Sequence, residues 1–411
     1  MKKHIKTWIN MCVILICGGI IGILLLGLVY CIPTDKAYAR YRSIGLDMIE
    51  GREGWHRYLT DYGASTLDNV TENEMLRIAS SPLPKETGEN VFQYAMRAYQ
   101  VMTYLDNEWY EPYERYWHGY LVILKPLLHF FSYTDIVFIN MAIQAILMFA
   151  VLHILMKNKS YSLQMIFVLF WILTMQVIIM FSMDYSVCFY IYMFGTLAVL
   201  LCDKVRKNYI YTFLIIGMLT SYMDFLTWPL VTLVMPLIVL LYVERKQLIS
   251  VLMASISWGI GYGVFWAEKW ILGSMILKHS IMQDALEQIM VRSSIKVVNE
   301  EFDTSFWETL ETNFSVFQNK GYFVILLIAF GGVLILQLFR IYKGEKVKIK
   351  ESAKYLVLSL LPLGWYMVTT NHATIHYWMT WRTAAVFIII IFTTLVEGVG
   401  IAFDKRNSME G

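Results

Sequence analysis

The sequence predicts an all-α polytopic membrane protein with about ten transmembrane helices, plus interfacial helices in a long first outer loop. Three observations carry that prediction. Of 411 residues, 57% are hydrophobic and only 16% charged, which lies outside the range of soluble domains. Apolar runs long enough to cross about 30 Å of hydrocarbon recur along the chain. Lys and Arg collect in alternate connections between those runs, as orientation in a membrane requires.

The first element, "MKKHIKTWINMCVILICGGIIGILLLGLVYC", has the basic start of a signal peptide. Its apolar stretch is too long for one and no small-x-small cleavage site follows, so it reads as a retained first span near 8–31. Further spans are expected near 133–156, 163–182, 185–202, 248–266, 322–342, 354–370 and 381–402. The run 209–243 is too long for one span and is broken around Asp224, so it supplies two more.

With the N-terminus in the cytoplasm, Lys2, Lys3, Lys6, Lys157, Lys159, Lys204, Arg206, Lys207, Arg245, Lys246, the run "RIYKGEKVKIKESAK" and Lys405–Arg406 fall on that side. The short opposite loops at 183–184, 223–225 and 371–380 contain no Lys or Arg. The expected protein is therefore a plasma-membrane, multi-pass chain with both termini cytoplasmic, forming one transmembrane domain over 1–411.

Two long segments, 32–132 and 267–321, fall outside. In the first, "TENEMLRIA" offers a Thr71-x-x-Glu74 capping box that would start a helix. "VFQYAMRAYQVMTYL" sets Phe92, Ala95, Tyr99, Met102 and Leu105 on one helical stripe, suited to a helix lying in the interface or packing on the bundle. "WHGYLVILKPLLHFF" is apolar but interrupted by Lys125–Pro126, and reads as a second interfacial or re-entrant helix.

A formal net charge of +2 gives no global field, and no basic run with interleaved aromatics suggests a nucleic-acid groove. The partners expected are membrane lipid and lipid-borne groups, with no nucleic acid. Cys12, Cys17, Cys31, Cys188 and Cys202 form no CxxC and have no His at ligand spacing, so neither a disulfide framework nor a zinc site is read.

Ionisable groups at membrane depth are costly and tend to mark function. Here Asp68, Glu72, Arg115, His118, Asp184, Asp224, His372, His376 and Arg382 all come out on or near the outer face. Asp68, just ahead of the capped helix, is a candidate general base at the rim of a cleft; the alternative is an ordinary cap, with Glu72 complementing the helix dipole. Arg115 and His118, in "ERYWHGYL", suit a phosphate or belong to an aromatic belt at headgroup level. Asp224, in "SYMDFLTWPL", sits at a hairpin tip where Asp is commonly structural.

"TTNHATIHYWMTWRTA" places His372 and His376 four apart, on one face of a helix, with Arg382 at the outer start of the last span. A zinc site is disfavoured because no Glu follows the first His and no third ligand is evident. Arg382 reads as an anion-binding cation or as a snorkelling anchor.

This layout resembles the GT-C class of membrane glycosyltransferases, especially bacterial proteins related to the protein-mannosyltransferase and aminoarabinose-transferase families. The likeness covers most of the chain: a cytoplasmic N-terminus, one span, a long ordered outer loop with an acidic residue, then a many-span bundle with later outer-face His and Arg. It implies a sugar donor linked to a polyprenyl phosphate, a catalytic carboxylate at Asp68 with Glu72 in reserve, and phosphate contacts from Arg115, His372, His376 and Arg382, with His118 and Asp224 as further substrate contacts. No nucleotide is expected, and a divalent metal is left open. The competing expectation is a transporter, flippase or polymerase of lipid-linked saccharides.

Overall fold

The computed structural model describes residues 2–41, 54–104, 107–294, 304–344 and 349–399. Six helices among them are long and apolar enough to cross a membrane: Ile5–Tyr30, Tyr133–Lys157, Met183–Leu201, Leu248–Leu277, Lys320–Tyr342 and Tyr377–Gly398. With every backbone group bonded inside its own helix, such segments tolerate a medium that offers no hydrogen bonds. The described residues are thus predominantly helical, and their six long apolar helices suit a multi-pass membrane protein.

Two helices approach at backbone contact. A Cβ on Gly217 of Tyr209–Met223 would collide with the carbonyl of Trp258, and one on Gly261 of Leu248–Leu277 with the carbonyl of Leu214. Small residues facing each other let the two helices pack without a side chain between them.

The structure departs from the expected spans in four places. The run 163–182 is two helices, Tyr161–Leu173 and Gln176–Phe181, because Met175 adopts a left-handed conformation (φ 52°). The break turns Gln176 into a buried polar cluster, where its Nε2 donates to Gln144 Oε1 at 2.7 Å. The run 354–370 is likewise divided, at Ser359, into Ile349–Leu358 and Leu360–Val368. The two helices of 209–243, Tyr209–Met223 and Leu230–Val243, have 15 and 14 residues; at 1.5 Å per residue each reaches only about 22 Å. The helix expected over 248–266 continues to Leu277, so the second outer segment starts later than expected.

In the segment expected to form the first outer loop, the helix begins at Asn69 rather than beyond Thr71, and its N-cap is Asp68. The Thr71–Glu74 box does not form; Glu74 pairs instead with Arg77 at 3.2 Å. The amphipathic stripe is also only half helical. A true capping box, Asn90 with Gln93, starts Val91–Arg97, and Ala98 ends it in the left-handed region (φ 46°). Tyr99 follows that turn, and Met102 lies in a two-stranded antiparallel hairpin, Gln100–Tyr104 with Asn107–Glu111, opposite Trp109. Val101, Thr103 and Tyr104 are residues that suit strands, and the sequence QVMTY lacks a strict alternation that would have announced one. Leu105 and residues 345–348 of the basic run lie outside the described residues. The Lys125–Pro126 segment does form a helix, Leu121–Phe130.

Three cations brought from elsewhere cap the carbonyl ends of these loop helices. Lys125 Nζ donates to Ala79 O at 3.0 Å, Lys269 Nζ to Met96 O at 2.9 Å, and Arg40 Nη1 to Leu128 O at 3.1 Å. Positive charge at a helix C-terminus satisfies the last carbonyls and opposes the dipole. Lys125 interrupts its apolar run for this reason, and Lys269 ties the loop to the long helix beneath it.

Candidate functional site

The site is built where the loop helix Asn69–Ser80, the first turn of Met183–Leu201 and the segment 370–382 meet. Asp68 is buried. Its Oδ1 accepts from Thr71 N at 2.9 Å, and its Oδ2 accepts from Thr71 Oγ1 at 2.8 Å and from Trp378 Nε1 at 2.9 Å. Capping the helix and reaching the far end of the chain are therefore done by one carboxylate.

Two further carboxylates stand close by. Glu72 accepts from Tyr133 OH and from Met183 N. Asp184 accepts from Ser182 Oγ and, at 2.8 Å, from Tyr185 N on Oδ1, while its Oδ2 is buried with no partner among the described residues. Burial pushes Glu72 well above the ordinary carboxylate range, the Asp68 charge adds to that, and the Met183 N–H works against it. Like charges in one buried site do not all ionise together, so Glu72 holds its proton at neutral pH.

Arg382 supplies the opposing charge. It is fully buried, which excludes the snorkelling alternative. Its guanidinium lies 4.0 Å over the Tyr185 ring, beside Asp184, and its Nη1 donates to Trp378 O at 3.2 Å. Nε and Nη2 have no hydrogen-bond partner among the described residues.

No family model matches the chain, and no curated protein or solved structure does.

His372 and His376 extend from this cluster. His372 lies in the short helix Thr370–Ile375 and His376 at its non-helical end (φ −98°, ψ 37°), with the two rings 4.7 Å apart. The His376 ring is 5.2 Å from that of Trp378, and His372 Nε2 meets Leu226 O at 2.9 Å. Burial lowers His376 to about 4 and His372 well below its ordinary value, with Arg292 adding to both. Both rings are neutral at physiological pH, so they offer hydrogen bonds rather than charge.

Leu226 is also part of the wall of a cavity of about 290 Å³, lined by Arg115, Tyr116, Trp266 and Arg292 among others. Arg115 Nη1 bonds Asp284 Oδ2 at 2.8 Å on the rim. The histidine pair thus lies between Trp378, which bonds Asp68, and Leu226, which lines this aromatic, arginine-bearing cavity.

The remaining two candidates are engaged internally. His118 is buried with Nε2 at 2.7 Å from Tyr113 O and Nδ1 at 3.3 Å from Tyr120 OH. Asp224 accepts from Thr227 N at 3.1 Å and Thr227 Oγ1 at 2.5 Å, holding the turn ahead of Leu230–Val243. Among the described residues, no group of three His, Cys, Asp or Glu is arranged to hold a metal. Tyr185, Trp378 and Arg292 are the site residues that the sequence did not single out, and Asp184 stands there among the outer-face ionisable residues without a role. Only Trp378 carried a signal, standing two residues from His376.

The buried histidines make acid destabilising. Burial lowers His118 to about 3 and His376 to about 4, both under the unfolded value near 6.5. Their contribution is complete above about pH 6.5 and is lost as pH falls through 4. At about pH 5 each should cost up to about 2 kcal/mol. Thermal unfolding in detergent at about pH 7.5 and 5 should show that drop, and His118→Gln should flatten it. Because Glu72 opposes the histidines over the same interval, the decisive comparison is between proteins: a pH response in His118→Gln identical to that of the wild type would contradict the assigned neutrality of His118. Glu72 acts in the opposite sense, since its raised value withdraws stability as pH climbs past it.

Proposed function

We propose that the protein is a membrane glycosyltransferase that moves a sugar from a polyprenyl-phosphate-linked donor to an acceptor at the outer face. In this reading the chain crosses the membrane ten times, the shorter apolar helices and broken segments completing the six long ones, with both termini cytoplasmic. One observation supports it most: the first-loop carboxylate Asp68 is hydrogen-bonded to Trp378, on the segment whose His372 bonds Leu226 O, a residue in the wall of the cavity bearing Arg115. A base and a phosphate-compatible pocket are thereby joined by one stretch of chain.

Asp68 accepts the proton of the acceptor hydroxyl as its oxygen bonds to the anomeric carbon, and the bond from that carbon to the phosphate oxygen breaks. Negative charge grows on the departing lipid phosphate, where Arg115 and the His376 N–H stabilise it, while His372 spends its one N–H on Leu226 O. Glu72, protonated, is a reserve acid beside the base; Arg382 balances the carboxylates. His118 and Asp224 hold the turns behind the site through their bonds to Tyr113 O and Thr227. The donor's tail has room in a second, apolar cavity of about 680 Å³ running along Met183–Leu201 from Met183 to Ala198, whose outer end begins at the residue that donates to Glu72.

A transporter or flippase of lipid-linked saccharide is the second reading, favoured by the breaks at Met175 and Ser359, since discontinuous helices are a mark of transport. Proteoliposomes loaded with a radiolabelled polyprenyl-phosphate hexose separate the two. A transferase releases free polyprenyl phosphate and labels an acceptor. Label that crosses the bilayer with the donor intact would replace transfer by transport.

A further inference from the structure

Asp68 is the proposed base, yet it is only 1% exposed and both its oxygens are already answered. Thr71 N meets Oδ1, while Thr71 Oγ1 and Trp378 Nε1 meet Oδ2. With no open surface left, an acceptor hydroxyl reaches this carboxylate only where one of those donors withdraws. Both Thr71 donors belong to the helix that Asp68 caps, whereas the indole N–H comes from the far end of the chain, on a half-buried ring. Trp378 is therefore the donor that can leave. Its backbone need not follow, because Arg382 Nη1 and Trp381 Nε1 hold its carbonyl at 3.2 and 3.1 Å. Rotation of the side chain is enough.

The ring beside the indole stays in place. Residues 54–67 form a strap that pairs with the residues on both sides of Asp68: Gly54 O accepts from Asn69 N and His56 O from Leu67 N, each at 2.9 Å. Trp55, between those two carbonyls, is held opposite Asp68. Its ring is 49% exposed and stands 5.1 Å from that of Trp378, at 53°. At the surface, Arg57 Nη2 donates to Tyr377 OH at 3.0 Å and ties the strap to the same segment. A rotated Trp378 leaves a gap with an aromatic ring on one wall and a carboxylate oxygen on the other. What fits there has the form of the side chain it replaces, a flat body with a hydrogen-bond donor at its edge. A pyranose ring meets that description, since its C–H groups suit the negative face of an indole and its hydroxyls donate at the rim. A serine or threonine side chain, or a lipid alcohol, supplies the hydroxyl but leaves Trp55 uncovered.

We infer that the Trp378 indole occupies the acceptor's place at rest, and that the acceptor is a sugar whose ring replaces it against Trp55 while one hydroxyl replaces its N–H on Asp68 Oδ2. The sugar class rests on the transferase reading; the cover over Asp68 rests on the geometry alone. Trp378 is then a positioning residue and Trp55 the contact that selects a ring. A covered base also cannot turn water against the donor before the acceptor arrives.

The test has two arms, both on the full-length protein in lipid nanodiscs. In the first, carboxyl groups are labelled with a water-soluble carbodiimide and glycine ethyl ester and read by peptide mass spectrometry. Asp68 should react at least about tenfold more slowly than Asp284, whose side chain is 54% exposed. Trp378→Phe, which keeps a ring but not the N–H, should speed Asp68 about threefold or more and leave Asp284 unchanged. Asp68 labelled as fast as Asp284 in the wild type, or no faster in Trp378→Phe, would overturn the cover. In the second arm, radiolabelled polyprenyl-phosphate hexose is supplied with cell-envelope material as acceptor, and the product is partially hydrolysed. Label should appear in a disaccharide, and Trp55→Ala should lower its yield about tenfold, with Trp55→Phe keeping at least about a third of it. Label released by β-elimination from a protein hydroxyl, or recovered on a lipid alcohol, would overturn the sugar acceptor and keep the cover. Wild-type yield in Trp55→Ala would remove Trp55 from the seat. No transfer by the wild type, with the labelling pattern as expected, would remove the transferase and the sugar together and leave the cover.

Discussion

Asp68→Asn is expected to lower sugar transfer by about 10²- to 10⁴-fold, the range lost when a general base is removed, while the protein still folds and inserts. Asparagine is as good an N-cap as aspartate, so the start of Asn69–Ser80 survives. Its single oxygen, however, meets only one of the two N–H groups that Asp68 serves, Thr71 N and Trp378 Nε1. The other faces an amide NH₂ or is left unpaired, at a cost of about 1–3 kcal/mol. Modest destabilisation with near-complete loss of rate is the signature sought, by single-turnover transfer and thermal unfolding on the same preparation. Asp68→Ala is less informative, because it also removes the cap. Transfer within tenfold of wild type in Asp68→Asn would remove Asp68 as the base.

The alternation of apolar runs with basic connections made the helical membrane architecture legible, because length and composition alone decide whether a helix suits hydrocarbon. The interruptions were not legible. Met175 turns left-handed in a stretch, "WILTMQVII", without the Gly or Pro that usually announces a break, and the driving force is tertiary: Gln176 must reach Gln144. Tyr99 and Met102 fitted a helical stripe, and the left-handed turn at Ala98, which no Gly announced, ended that helix ahead of the strand.

For the site, topology placed Asp68 and the histidine segment on one side of the membrane, yet no local pattern states that Trp378 rather than a histidine touches Asp68. Nor could spacing tell cap from base, since the same carboxylate geometry serves both. Asp184 read as a loop residue, and its role as neighbour to Glu72 and Arg382 exists only once three separated segments are packed. Arg292 sits in an outer segment with no motif around it, and only the cavity gives it meaning.

Arg382→Met should destabilise the protein by about 3–5 kcal/mol, the penalty for removing one side of a buried charge arrangement. Methionine retains an apolar stem to pack over Tyr185, so lost volume contributes little and the measured change reports on charge. Without the guanidinium, Asp184 keeps a buried Oδ2 that nothing among the described residues answers, in a site that also contains Asp68 and Glu72. The cluster must then take up protons or admit water, either of which loosens the contact between the loop helix and Met183–Leu201. Thermal unfolding in detergent would register the loss, and the double variant Arg382→Met with Asp184→Asn should recover a substantial part of it, because it removes the charge left stranded. A single variant within about 1 kcal/mol of wild type would mean that the carboxylates do not depend on Arg382. A double variant less stable than the single would mean that Asp184 holds its place through Ser182 and Tyr185 N alone, and that the arginine and the aspartate, though neighbours, stabilise the fold independently.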